Sequence, residues 1–232
     1  MFKNFLFIII LYSFLMPKYA NEQLIYDVEI KGLSFFTGAV GECIINFNTN
    51  DENQYELTVT IQTTNFAKRI FPYFDSIEML LEKNLSLLEM KHLIVYKNKK
   101  ESFSKVEKAQ KSILFNNQLL DFYKDTLFTP YSLIYYLRNT EMNENDEFEY
   151  QIYDSGKLKD VKLKINSTEK IKVPLGSFEC FNLTPIQNQN LVKNKGMLEL
   201  WYTNNSQKIP VQIKLNSKIG TFIMKLKKIN KK

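Results

Sequence analysis

The sequence predicts a mainly β protein: a large curled antiparallel sheet, an unclosed barrel, wrapped around one central helix. Three observations predict it. The first is a set of period-two runs, cleanest within 173–229. There Leu198, Leu200 and Tyr202 alternate with Glu199 and Trp201, and Ile209, Val211, Ile213 and Leu215 alternate with Lys208, Pro210, Gln212 and Lys214. A period of two sends alternate side chains to opposite faces, so these strands have one apolar face and one wet face, as antiparallel sheets do. The second is aromatic content, with 18 Phe and 13 Tyr in 232 residues, which suits a pleated surface. The third is that only one stretch, 129–138, reads as a strong helix. Roughly nine to eleven strands in one sheet must curl or close, and a helix on the concave side covers what they expose.

The strands follow in order. Tyr26, Val28 and Ile30 alternate with Asp27, Glu29 and Lys31. Gly32 and Gly38 bracket a turn, and Cys43, Ile45 and Phe47 form a second strand. Tyr55, Leu57, Val59 and Ile61 alternate with Glu56, Thr58, Thr60 and Gln62. Asn65 is expected to cap a short helical turn that Pro72 limits. Residues 75–83 and 89–97 favour helix by local propensity; the alternation of Met90, His92, Ile94 and Tyr96 favours two strands. Residues 97–111 are polar and read as a loop or weak edge strand, and 112–115 as a further strand.

The helix over 129–138 has Thr129 as its cap and Pro130 in its first position. Leu127, Tyr131, Ile134 and Tyr135 share one side. Tyr131, Ile134 and Tyr135 are therefore expected in the core, with Arg138, if exposed, contributing far less. Phe148, Tyr150 and Ile152 then pair with Val161, Leu163 and Ile165 around an Asp154-Ser155-Gly156-Lys157 turn. No linker or repeat divides the chain, so 21–232 reads as one domain.

Residues 1–20 are set apart. Lys3 precedes an apolar run over 5–16, shorter than the roughly 20 residues a spanning helix needs. It fits a secretory signal cut after Ala20, although Lys18 is a poor match three residues before that cut. The expected location is the periplasm, with an uncleaved tether as the alternative and no transmembrane span in the mature chain. Net charge is +6. The lysines are scattered through strands, so no nucleic-acid partner is expected, and the basic run at 225–232 reads as a solvated tail. Cys43 and Cys180 permit one disulfide in an exported chain, but both lie in strand patterns where free buried Cys is common.

Catalytic chemistry is poorly provided for. One His, His92, cannot supply a metal site with two Cys, and it more often serves structure than catalysis. There is no phosphate loop and no nucleophile elbow. Asp121 and Asp125 read as solvated. No enzyme activity, cofactor or metal is expected. A ligand entering the curl would meet the inward residues of the best strands: Leu57, Val59, Leu200, Tyr202, Val211, Ile213, Phe222 and Met224. A filled core would use the same residues.

Several short stretches carry a resemblance. They are Tyr26-Asp27-Val28 through Gly38, Asp125-Thr126-Leu127 with Leu137-Arg138, and Pro174-Leu175-Gly176-Ser177-Phe178. Leu200-Trp201-Tyr202 followed by Ile209-Pro210-Val211, and Gly220, complete the set. In this order they resemble the exported bacterial proteins grouped as domain-of-unknown-function family 3108. Asn204 and Asn205 stand where that family often carries Asp. The family is similar in shape to periplasmic lipoprotein-carrier folds, where an open barrel shelters acyl chains around a helix. The family has no established activity; the curled sheet with its aromatic, Leu/Ile-rich concave face is what leads to the expectation of a non-catalytic carrier for a lipid or acyl chain. The alternative is an envelope assembly factor that contacts another protein through sheet edges.

Overall fold

A computed structural model describes residues 19–31, 38–50, 52, 54–186, 198–217 and 220–231, the side chains of 216, 217 and 220 excepted. The expected signal segment lies outside them up to residue 18, as does the Gly32 end of the first turn.

Among the described residues, one sheet of fourteen antiparallel strands forms the fold and does not close into a barrel. It is two meanders joined at the middle. The first holds β1 (Glu22–Lys31), β2 (Ala39–Thr49), β3 (Tyr55–Thr63), β4 (Phe74–Leu81), β5 (Leu87–Tyr96), β6 (Asn98–Glu107), β7 (Ser112–Phe115) and β8 (Gln118–Asp121). The second holds β9 (Glu147–Asp154), β10 (Lys157–Val173), β11 (Gly176–Pro185), β12 (Leu198–Thr203), β13 (Pro210–Ser217) and β14 (Gly220–Lys231). Within each meander consecutive strands pair, and β1 pairs with β14, so the first and last strands lie at the centre and β8 and β9 at the edges.

Four expectations need correction. Fourteen strands exceed the nine to eleven expected. Residues 97–111 are not a loop or an edge: they contain β6, bonded to β5 and β7. Its inward positions include Ser102 and Ser104, which give no apolar alternation. The basic run at 225–232 is not a frayed tail, because β14 pairs with β1 as far as Lys231. On its wet face Lys225 meets Glu29 at 2.8 Å and Lys227 meets Asp27 at 2.9 Å. Finally, the short helix α1 (Asn65–Ile70) is capped at Thr64, with no side-chain capping bond, rather than at Asn65.

The helix α2 (Pro130–Leu137) confirms the 129–138 reading almost to the residue. Ser132 N–H donates to Thr129 Oγ1 at 3.0 Å, and Thr129 N–H donates to Ser132 Oγ at 2.9 Å. This reciprocal cap satisfies two otherwise orphaned donors. The chain passes from edge strand β8 to edge strand β9 through the stretch before α2 and α2 itself, and that passage draws the edges together. Phe128 bridges to Ile152 of β9, and Leu87 N–H donates to Leu127 O at 2.7 Å. Ser104 Oγ and Tyr153 OH share a buried hydrogen bond of 2.8 Å across the seam. Gly156 has φ +79°, and a Cβ there would stand 2.5 Å from the Phe115 ring. Glycine serves both needs at that turn.

The core lies between α2 and the concave face. Ile134 and Tyr135 are buried, as expected, together with Leu133 and Leu137, whereas Tyr131, expected with them, is only half-buried. Tyr19 also belongs to the core. Its ring meets Phe47 edge-on at 4.8 Å and Tyr135 at 5.2 Å, and its hydroxyl accepts from Asn139 Nδ2 at 2.7 Å. Cys43 and Cys180 are both buried and free.

Candidate functional site

The strand registers order the concave face into rows that cross the sheet. The row nearest the start of β1 joins Glu22, Phe47, Leu57, Met79 and Met90. The next joins Leu24, Ile45, Val59 and Ile77. These rows are sealed by α2: Leu57 is 0% exposed and Val59 1%. Further along the strands the seal opens. Ile61, Asp75 and Ile94 form a half-buried row. Val28, Met224, Ile213, Leu200 and Leu183 share a row that stays buried except at Met224, and beyond it lie Ile30, Phe222 and Leu215. Met224, Ile30, Phe222 and Leu215 are all half-buried. One end of the curl is therefore sealed, and the apolar residues described at the other end, the mouth, are half-buried.

The eight candidate ligand residues divide accordingly. All lie on the concave face. Leu57, Val59, Leu200, Tyr202, Val211 and Ile213 touch almost no water-sized space; they form core, with Tyr202 OH donating to Ile134 O of α2 at 3.0 Å. Phe222 and Met224 stand at the mouth. The grooves elsewhere have other walls. One, of about 530 Å³, lies over β4, β5 and β6 and is lined by Ser76, Glu78, Lys91, Leu93, Glu101 and Phe103.

The shut end holds a polar plug that the alternation did not announce. The condition on Arg138, a small contribution if exposed, is not met: it is 1% exposed and Glu22 is 2% exposed. Arg138 Nη1 donates to Glu22 Oε1 at 2.5 Å, Nη2 to Oε2 at 3.3 Å, and Nε to Gln207 O at 3.3 Å. Its guanidinium also lies 4.8 Å from the Tyr19 ring and 5.3 Å from that of Tyr135. Burial works against this charge, but the hydrogen bond and charge of Glu22 outweigh it and hold Arg138 above its usual range.

At the mouth, His92 Nε2 lies 2.8 Å from Asp75 Oδ1, and Tyr73 OH donates to Asp75 Oδ2 at 2.9 Å. Tyr131 lies in the first turn of α2. Burial, with Cys43, Asp75 and Tyr73 nearby, pushes its phenol well above the ordinary value. This cluster gives an apolar mouth one polar wall. Among the described residues, no three His, Cys, Asp or Glu side chains converge to hold a metal, and no helix is long and apolar enough to cross a membrane. Trp201, set on the wet face by alternation, is instead buried there, with Nε1 donating to Glu169 Oε1 at 2.6 Å.

Burial raises several phenols together. Tyr19 and Tyr150 are pushed up to about 12, and Tyr26, Tyr135 and Tyr202 well above the ordinary value. Above about pH 10 the unfolded chain releases these protons and the folded chain keeps them. The unfolded state then binds fewer protons, so stability falls as pH rises. Urea midpoints should hold to about pH 9 and drop steeply above about 10. A midpoint unchanged at pH 11 would contradict that burial.

A single open sheet curled over a capped helix, shut at one end and apolar at the other, defines a barrel-like β protein. The chain belongs to the family of proteins of unknown function DUF3108, whose model matches residues 26–227. Its fold is similar to that of a beta-barrel-like protein of the DUF1849 family from Brucella abortus, at 8% identity and TM-score 0.59, over 91% of this chain and 98% of that one. A DUF1089-family protein from Pseudomonas aeruginosa aligns at 8% identity and TM-score 0.41, over 73% of this chain and 87% of that one. Among curated proteins none matches.

Proposed function

We propose that this protein is an exported, periplasmic, non-catalytic binding or carrier protein for a lipid or acyl chain, which it takes at the open mouth. The observation that carries this reading is the burial gradient along the concave face. The face is sealed from Glu22 to Val59 and apolar but half-open at Ile61, Met224, Phe222 and Leu215. An apolar face left half-open gains by covering itself. The Tyr73–Asp75–His92 cluster supplies the few polar contacts that fix the orientation of an amphipathic ligand. An envelope assembly factor acting by protein contacts is the second reading, and exposed apolar residues on α1 are the observation in its favour.

A titration tests the first reading. Delipidated protein is expected to take up a fluorescent fatty-acid analogue saturably. Met224→Lys should weaken uptake by about tenfold or more, since a cation in an apolar contact loses well over 1 kcal/mol. The half-open setting of Met224 lets the folded state survive. No saturable uptake by the wild type, across several lipid classes, would turn the assignment to the assembly factor.

A further inference from the structure

We propose that the tip formed by α1 and the β5–β6 turn docks on an anionic lipid surface. α1 leaves β3 at the mouth end, beside the pairing of Gly41 with Thr63, and Thr64 N–H donates to Val40 O at 3.0 Å. Of its six residues only Ala67 is buried. Phe66 is 64% exposed, Ile70 55% and Phe71 40%. The Phe71 ring lies 4.3 Å from that of Tyr96, where β5 turns toward β6, and Val95 beside it is exposed too. These side chains make one apolar tip rather than scattered exposures, and such patches mark interaction sites.

The charge around the tip selects the partner. Lys68 and Arg69 occupy the last turn of α1 and are exposed. Lys97 Nζ lies 5.5 Å from the centre of the Tyr96 ring, and Lys100 is exposed on the adjoining strand. Lys99 pairs with Glu101 at 2.7 Å. Aromatic rings with a collar of cations match a headgroup layer, where rings sit at the interface and cations meet anionic lipid. An apolar protein-binding patch needs no such collar. Docking here would set the open mouth against the lipid, but the inference stands on α1 and does not need the carrier reading.

Sedimentation with vesicles tests it, using the full chain. Vesicles of phosphatidylglycerol and phosphatidylcholine are expected to carry the protein down, and vesicles of phosphatidylcholine alone to carry at least tenfold less. Binding should fall as salt rises from about 50 to about 500 mM, since the Debye length shortens severalfold. Lys68→Glu with Arg69→Glu should lower partitioning by well over tenfold, at roughly fivefold or more per cation lost. Phe66→Ser with Phe71→Ser should lower it comparably. All four side chains are exposed, so the melting temperature should hold. Fatty-acid uptake in solution should also be unchanged in Lys68→Glu with Arg69→Glu, which separates a failure of docking from a failure of the mouth. Equal partitioning onto both vesicles, or no loss in the variants, would overturn the proposal. So would a dimer that forms with concentration and that Phe66→Ser with Phe71→Ser dissolves.

Discussion

Glu22→Gln is expected to destabilise the fold by roughly 3–5 kcal/mol, the range for removing one partner of a buried ion pair. The guanidinium of Arg138 would keep its charge in a site that is 1% exposed. Gln207 O would remain its acceptor, and the rings of Tyr19 and Tyr135 its other company. That company does not replace a carboxylate. Arg138→Met should cost a similar amount, because Glu22 would then be stranded. The informative variant is the double one. Glu22→Leu with Arg138→Met removes both charges and leaves volume in place, and such swaps are often neutral or stabilising. Urea unfolding of the four proteins would measure it. Single losses large and double loss small would mark the pair as a device of specificity, fixing the end of α2 on the first strand. Additive losses would show that the two charges act independently.

Tyr19→Ala should lose about 3–5 kcal/mol, as large buried aromatics do. The ring fills space between Phe47 and Tyr135, and its hydroxyl takes the hydrogen bond from Asn139. A consequence follows for export. A cut after Ala20 would remove Tyr19 and should cost as much as the alanine variant. A chain beginning at Asn21 should then melt lower than one that keeps residue 19, by on the order of 10 °C. We propose on this ground that any cleavage of the leader falls before Tyr19. Equal melting of the two chains would return the cut to Ala20.

The sheet was legible because most of its strands alternate. β3 and β12 to β14 carry their face assignment in the residues themselves, and α2 announces itself by Thr129 and Pro130. β6 was hidden because Ser102 and Ser104 occupy inward positions, and the Ser104 hydroxyl bonds to Tyr153 across the seam instead of packing. The plug was hidden by residue type, although its positions were readable. Glu22 shares the parity of Leu24, Tyr26 and Val28, which puts it on the apolar face. Arg138 follows Ile134 by four residues and Tyr135 by three, which puts it on the buried side of the helix. Two opposite charges on apolar faces are a signal that they find each other. The mouth was only half legible. Alternation placed Phe222 and Met224 inward, but how far α2 reaches over them is a matter of tertiary geometry. α2 crosses at the Glu22 end, so the same alternation gives core at Val59 and opening at Met224. Disulfide chemistry was left open by two cysteines, and the fold leaves both thiols free and buried.

The position of the ligand can be read directly by photolabelling. A fatty acid carrying a photoreactive group near its methyl end, bound and irradiated with the delipidated protein, would place its adducts by peptide mass analysis. Adducts are expected at Tyr131, Met224 and Phe222, none at Leu57, with competition by unlabelled fatty acid. Adducts confined to the groove of Lys91 and Phe103, or labelling that unlabelled fatty acid does not reduce, would contradict binding at the mouth.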